Sequence, residues 1–226
     1  MKIACALAVA LLALPLAACR TPVPASQDSS GSPRPAETHS HSHASSTSGF
    51  DYYLLNLSWS PEFCYSHPQA AECAQHPGFV LHGLWPQNTD GTYPEHCSDA
   101  PGPADPDDYR DLYPDSGLLH HEWQTHGTCS GMGADAFFAA ARQAVHSVAI
   151  PGELNSLHTQ TSLSPDEIAA LFARSNPSFP RSSFRVSCGH NYLTAVEICM
   201  DKGLHPIPCP ANLRSCRANV VRIPPR

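Results

Sequence analysis

The sequence predicts an α+β fold: an antiparallel β-sheet core with packed helices and four disulfides. Three observations carry this expectation. Helix-like and strand-like segments follow one another without the βαβ rhythm that builds a parallel sheet. Residues 50–226 amount to one domain by length, and no internal repeat divides them. Eight of the ten cysteines lie in that part, an even number in a chain that begins with an export signal.

The elements follow in order. Phe50 to Trp59 is rich in tyrosine and leucine, suited to a strand, and Ser60-Pro61 closes it. Phe79 to Leu84 is a second short apolar run. Ala134 to Ala149 is rich in helix formers, with apolar residues on a 3.6-residue period and a stop at Pro151-Gly152. Ser164-Pro165-Asp166-Glu167 is a capping box with proline at the first helical position, opening a helix to about Arg174. Phe184 to Cys188, Tyr192 to Cys199 and Asn219 to Ile223 then read as strands.

The first 49 residues stand apart. Met1 to Ala18 has one positive charge at Lys2 and then an apolar run broken by Pro15, the pattern of a secretory signal. No apolar stretch reaches the roughly 20 residues needed to span a bilayer. Leu16-Ala17-Ala18-Cys19 resembles a bacterial lipobox, with Cys19 the acylated residue. Ordinary cleavage near the same small residues, leaving Cys19 free, is the alternative. Acyl chains would hold the protein on a membrane face, its only membrane contact. Residues 19–49, dominated by Pro, Ser, Thr and His, offer nothing to build a core from and are expected to be a flexible tether. His39, His41 and His43 within it alternate with serines and could hold a divalent metal weakly, although a polar linker is the plainer reading.

Composition narrows the function. Lys and Arg total 13 against 20 Asp and Glu, a net charge of −7, which excludes a broadly basic nucleic-acid coat. The imbalance is uneven: residues 50–173 carry −14 and residues 174–226 carry +6, so RNA phosphates should prefer the C-terminal side. The acidic run Asp99 to Asp115 reads as a solvated loop. Cys64, Cys73, Cys97, Cys129, Cys188, Cys199, Cys209 and Cys216 include no CxxC pair, so they are expected to form four disulfides in place of a zinc ribbon. Eight cysteines allow 105 pairings, and spacing does not choose among them.

Two histidine segments carry chemistry. The first is Phe79-Val80-Leu81-His82-Gly83-Leu84-Trp85-Pro86-Gln87, and the second His120-His121-Glu122-Trp123-Gln124-Thr125-His126-Gly127-Thr128-Cys129. On a helix, Glu122 and His126 stand four apart on one face, with His121 and Thr125 on the adjacent stripe. A carboxylate beside an imidazole orients it or favours its charged form. His121-Glu122 resembles the start of a zinc HExxH motif, but the second histidine is five residues on. Five helical steps rotate about 140°, so His121 and His126 are not expected to share a metal.

Together the two segments resemble the active-site segments of the ribonuclease T2 family, the acid transferase-type endoribonucleases. The resemblance runs from Phe50 to near the C-terminus and leaves out the tether. It implies metal- and cofactor-independent cleavage of single-stranded RNA with low base specificity, through a 2′,3′-cyclic phosphate to a 3′-phosphate. It further implies His126 as base, His82 as acid, His121 as phosphate ligand and Glu122 as the residue that polarises the centre. Trp85 and Tyr93 match base-stacking positions, and Gln87 stands where some members carry an aspartate that reads the base. Thr125 stands where the family usually has lysine, so one cation is missing. The family's pattern would pair Cys64–Cys73, Cys97–Cys129, Cys188–Cys216 and Cys199–Cys209. Trp123 reads as core packing. A monomer is expected, exported to the periplasm, anchored to the outer membrane by lipid, or extracellular. Competing with the enzyme are a weakly active or inactive lipoprotein that sequesters metal and a module that binds RNA without turnover.

Overall fold

The computed structural model describes residues 49–75 and 77–226. The signal segment, Cys19, the three alternating histidines and the tether up to residue 48 lie outside the described residues.

β1 (Tyr52–Trp59) alternates as a two-sided strand must. Tyr53, Leu55, Leu57 and Trp59 enter the main core, while Tyr52 and Leu54 enter a smaller cluster on the opposite face. Proline near its start opens the short helix α1 (Ser60–Ser66). β2 (Phe79–Gln87) returns antiparallel to β1, with a bulge at Asn56/Leu57. Next come α2 (Ser116–Thr125), α3 (Ala134–His146), the one-turn α4 (Gly152–Asn155) and β3 (Thr161–Leu163). α5 (Pro165–Ser175) has both arms of the expected capping box: the Ser164 hydroxyl accepts from the Glu167 N–H, and the Glu167 carboxylate accepts from the Ser164 N–H. β4 (Phe184–Gly189), β5 (Tyr192–Met200) and β6 (Val221–Ile223) complete the sheet.

The strand order is β2-β1-β5-β6-β3, with β4 on the other edge of β5. One contact departs from the antiparallel expectation: β6 meets β5 in parallel at Tyr192 and Arg222. The reason is local. β1 pairs with β5 only from Ala195 onward, leaving the edge at Tyr192 open, and β6 fills it. The Trp59 indole N–H then donates to the Pro224 carbonyl (3.1 Å), fastening the C-terminal segment to the end of β1.

The helices cover one face of the sheet. Trp123 of α2, Phe137 and Phe138 of α3 and Ile168 and Phe172 of α5 are buried with the sheet residues Leu55, Leu84, Val186 and Val196. Each such side chain contributes about 1.5–3 kcal/mol by leaving water. Trp123 is core, as expected, and its indole donates to the Ala100 carbonyl (2.8 Å). The segment Asp99 to Asp115 is more than a solvated loop. Its acids face water, but Tyr109, Leu112 and Tyr113 are buried, and Asp111 is paired with Arg142 at 2.6 Å. The cysteines join as Cys64–Cys73, Cys97–Cys129, Cys188–Cys216 and Cys199–Cys209. No helix among the described residues is long and apolar enough to cross a membrane.

Candidate active site

The site lies where β2, at the edge of the sheet, meets the C-terminal end of α2. Asp115 caps α2 by accepting from the Gly117 N–H. The helix stops at Thr125, and His126 takes φ −115°, ψ −46°. Gly127 permits the exit, since a Cβ there would collide with the Trp123 and Phe137 rings.

Glu122 is 0% exposed and is the centre of the arrangement. Its Oε2 accepts from the Trp85 indole N–H at 2.8 Å. Its Oε1 has no hydrogen-bond partner and lies 3.6 Å from His82 Nε2. Burial pushes the carboxyl up to about 8, against the opposing pull of the Trp85 N–H. Gly83 makes the contact of β2 with Glu122 sterically feasible, because any Cβ there would run into Glu122 Oε2 and Trp85 Nε1.

Three imidazoles surround this carboxyl. The Trp85 ring lies 5.3 Å from both His82 and His126. His121 stands edge-on to His126 at 6.2 Å, and its Nδ1 lies 3.3 Å from the Thr125 hydroxyl. Burial, then charge on His121, His82 and His96, lowers His126 to about 4. His82 is also lowered, by burial and then by His121. His126 Nδ1 is buried without a partner.

The structure therefore brings together His82, Trp85, His121, Glu122 and His126. Tyr93 is exposed on the loop after β2 and Gln87 ends that strand; among the described residues neither side chain is hydrogen-bonded to the imidazoles. One sequence expectation is overturned. Donor atoms of His121, Glu122 and His126 lie within 4.8 Å of one another, so helical rotation does not keep these side chains apart. His126 still makes the helical bond to the Glu122 carbonyl (3.1 Å), but its φ of −115° turns the side chain away from the ideal helical direction and toward His121.

His96 was missed. Its backbone N–H donates to the Thr125 carbonyl (2.9 Å) at φ 51°, and its charge is felt at His126. The neighbouring Cys97–Cys129 bridge, which ties this loop to the second histidine segment, was the signal that could have found it.

Residues 50–209 match the model of the Ribonuclease T2 family. The chain belongs to that family. A ribonuclease of Aeromonas hydrophila is 44% identical over 108 residues, 47% of this chain and 50% of that protein. A probable ribonuclease of Haemophilus influenzae is 29% identical over 179 residues, 70% of this chain and 61% of that one. The chain thus spans half to three-fifths of these two curated relatives. Among solved structures, an RNase-related protein from Calystegia sepium is similar, with TM-score 0.62 and 26% identity over 77% of this chain and 97% of that one. RNase NT in complex with 5′-AMP, at 21% identity and TM-score 0.56, shares the fold.

Proposed function

We propose that this chain is an endoribonuclease that cleaves single-stranded RNA by transphosphorylation. The observation that carries the reading is the pair of imidazoles, His82 and His126, set around a buried carboxyl with a free oxygen. Cleavage needs a base for the ribose 2′-OH and an acid for the departing 5′-oxygen. His126, lowered to about 4, stays neutral and able to accept a proton in mildly acidic solution. His82, half-buried with its Nε2 3.6 Å from the free Glu122 oxygen, serves as its protonated counterpart.

In the first step the 2′-oxygen attacks phosphorus, its proton passes to His126, and His82 protonates the 5′-oxygen as the P–O bond breaks. This leaves a 2′,3′-cyclic phosphate. Water then opens the ring with the proton roles reversed, giving a 3′-phosphate. His121, at the mouth of the site, holds a non-bridging phosphate oxygen. Glu122, raised to about 8 and so protonated in mildly acidic solution, offers its free oxygen to whichever imidazole carries charge. Trp85, Tyr93 and Gln87 are the candidates for contact with the base, and Trp85 also holds Glu122 in place.

No step calls for a metal or cofactor. Cleavage of polymeric RNA in EDTA, with a cyclic phosphate among the early products, is the expected result. Loss of activity on chelation, or binding without cyclic phosphate, would replace the reading with a metal-dependent or a binding function. Localisation is proposed from the lipobox-like Leu16-Ala17-Ala18-Cys19: export and acylation at Cys19. Cys19→Ser should move the protein from the detergent to the aqueous phase with its specific activity unchanged.

A further inference from the structure

Tyr65, in the last turn of α1, is 93% exposed, the most exposed large hydrophobic residue among those described. It lines a cavity of about 430 Å³ together with Tyr192, with His190 and Glu62 also on the walls. Tyr192 is fixed and charged at its rim. The Arg222 guanidinium lies over its ring, 5.5 Å from the centroid, and Nη1 donates to its hydroxyl at 3.5 Å. His190 is presented by the β4–β5 turn, where it and Asn191 both take positive φ, 50° and 66°. Both values lie in the left-handed region, which asparagine and histidine enter more readily than most residues.

The same helix borders the catalytic region. Phe63 of α1 lines a separate cavity of about 220 Å³ whose walls include His82, Ser58 and Leu118. α1 is therefore a divider, with Phe63 on the His82 side and Tyr65 on the Tyr192 side. A helix is about 10 Å across with its side chains.

We infer that the cleft between Tyr65 and Tyr192 is a distal subsite that stacks a base of the RNA substrate, on the 3′ side of the cleaved bond. The inference rests on the proposed role of His82 as the acid that serves the leaving 5′-oxygen. If His82 faces the leaving nucleoside, the strand downstream of the cut leaves over α1. A stacked strand advances about 3.4 Å per nucleotide, so crossing the width of one helix takes about three nucleotides. Aromatic rings accept any base face, so the subsite adds affinity without sequence preference. Charge agrees with this orientation. Glu62 repels phosphate from the interior of the cleft, while Arg222, exposed at its rim, attracts the backbone. Arg222 also belongs to the C-terminal segment that carries the chain's excess of positive charge.

The test uses substrates with a single ribonucleotide in otherwise deoxy oligomers, so that each has one cleavable bond. A dinucleotide is compared with versions lengthened by four nucleotides on the 3′ side or on the 5′ side. The expected result is a KM roughly tenfold lower for the 3′-extended substrate, with kcat unchanged and little gain from 5′ extension. Tyr65→Ala should abolish the 3′ gain while leaving cleavage of the dinucleotide as it was, and Arg222→Gln should reduce the gain in part. Equal KM for dinucleotide and 3′-extended substrate, a gain on the 5′ side instead, or a 3′ gain that survives Tyr65→Ala would each overturn the subsite. In all three the dinucleotide is still cleaved. Failure to cleave any of the substrates would overturn the ribonuclease reading itself, and the two failures are thereby told apart.

Discussion

Glu122 and Glu197 are both pushed above the ordinary carboxylate range by burial, in surroundings that answer them differently. Glu197, on β5, shares its Oε1 between the Ser187 hydroxyl (3.0 Å) and the Asn56 amide (3.4 Å), and the Arg185 charge pulls its pKa back down. Glu122 has one donor, the Trp85 indole, and its second oxygen is left free beside His82. No cation other than an imidazole is among the causes of its shift or those of its neighbours His82 and His126. Burial alone therefore does not mark a reactive carboxyl. An unspent oxygen facing a titratable partner does, because an unpaired buried polar atom costs stability that a purely structural site has no reason to bear.

The comparison breaks most visibly at the imidazoles. His82→Ala and His126→Ala should each lower kcat/KM on RNA by roughly 10²–10⁴-fold, the usual contribution of a positioned acid or base. Neither histidine is part of the hydrophobic core, so the thermal midpoint should stay close to wild type. Near wild-type activity in either variant would remove that histidine from the mechanism.

The carboxyls themselves give the next largest contrast. Glu122→Gln keeps the shape and the Trp85 bond but replaces the free carboxyl oxygen beside His82 with an amide that can neither ionise nor pass a proton, and a loss of roughly tenfold to a hundredfold in kcat is expected. Glu197→Gln should change kcat less than about twofold, within the range of changes away from a site. Similar losses in the two variants would show that burial, and not the free oxygen, is what matters.

How much of this contrast could be read from the sequence depends on whether a feature is local. The capping box at Ser164 and Glu167 sits within four residues, and the structure has it as read. The strands at Phe184 and Tyr192 were visible because short aromatic and β-branched segments stand on either side of a turn. The parallel contact of β6 was hidden, since it depends on where β1 ends, more than 160 residues away in the chain. The site was half legible. His82, His121, Glu122 and His126 stood out by type and spacing, but the Trp85–Glu122 bond joins residues 37 apart, and only the fold shows it. The separation of His121 from His126 was misjudged at one residue: periodicity describes the helix interior, and His126 is its cap.

pH sharpens the comparison further. Activity needs His126 neutral and His82 charged, so kcat/KM should rise through about pH 4 and fall again below the ordinary histidine value of 6.5, because His82 is lowered. An optimum above pH 7 would contradict the assignment. Stability follows a different curve. The raised Glu122 contributes stability that is present below its unfolded value of 4.5 and lost as pH rises through about 8. The lowered His126 contributes stability present above 6.5 and lost as pH falls through about 4. The two slopes oppose one another between 4.5 and 6.5, giving a plateau, with decline above it. In Glu122→Gln the decline between 6.5 and 8 should flatten, as chemical unfolding across that range would measure. An unchanged decline would assign it to other groups.

The smallest effect concerns the missing cation. A phosphorane carries its extra charge on the non-bridging oxygens, and donors aimed there act mainly on the transition state. Where the family usually places lysine, Thr125 is only 6% exposed and is engaged with His121 Nδ1. No lysine or arginine among the described residues hydrogen-bonds to His82, His121, Glu122 or His126. Imidazoles are the cationic groups directly joined to this centre. Thr125→Lys gives up the contact with His121 and gains a fixed charge on a longer stem, which can extend past His121 toward the phosphate. A several-fold gain in kcat on a dinucleoside phosphate, with little change in KM, is the expected outcome. The gain should be larger at pH 7 than at pH 5, because the lysine keeps its charge where the imidazoles lose theirs. A gain equal at both pH values would mean that imidazolium charge is not what the phosphorane uses here, and an absence of gain would mean that Thr125 and His121 together already suffice.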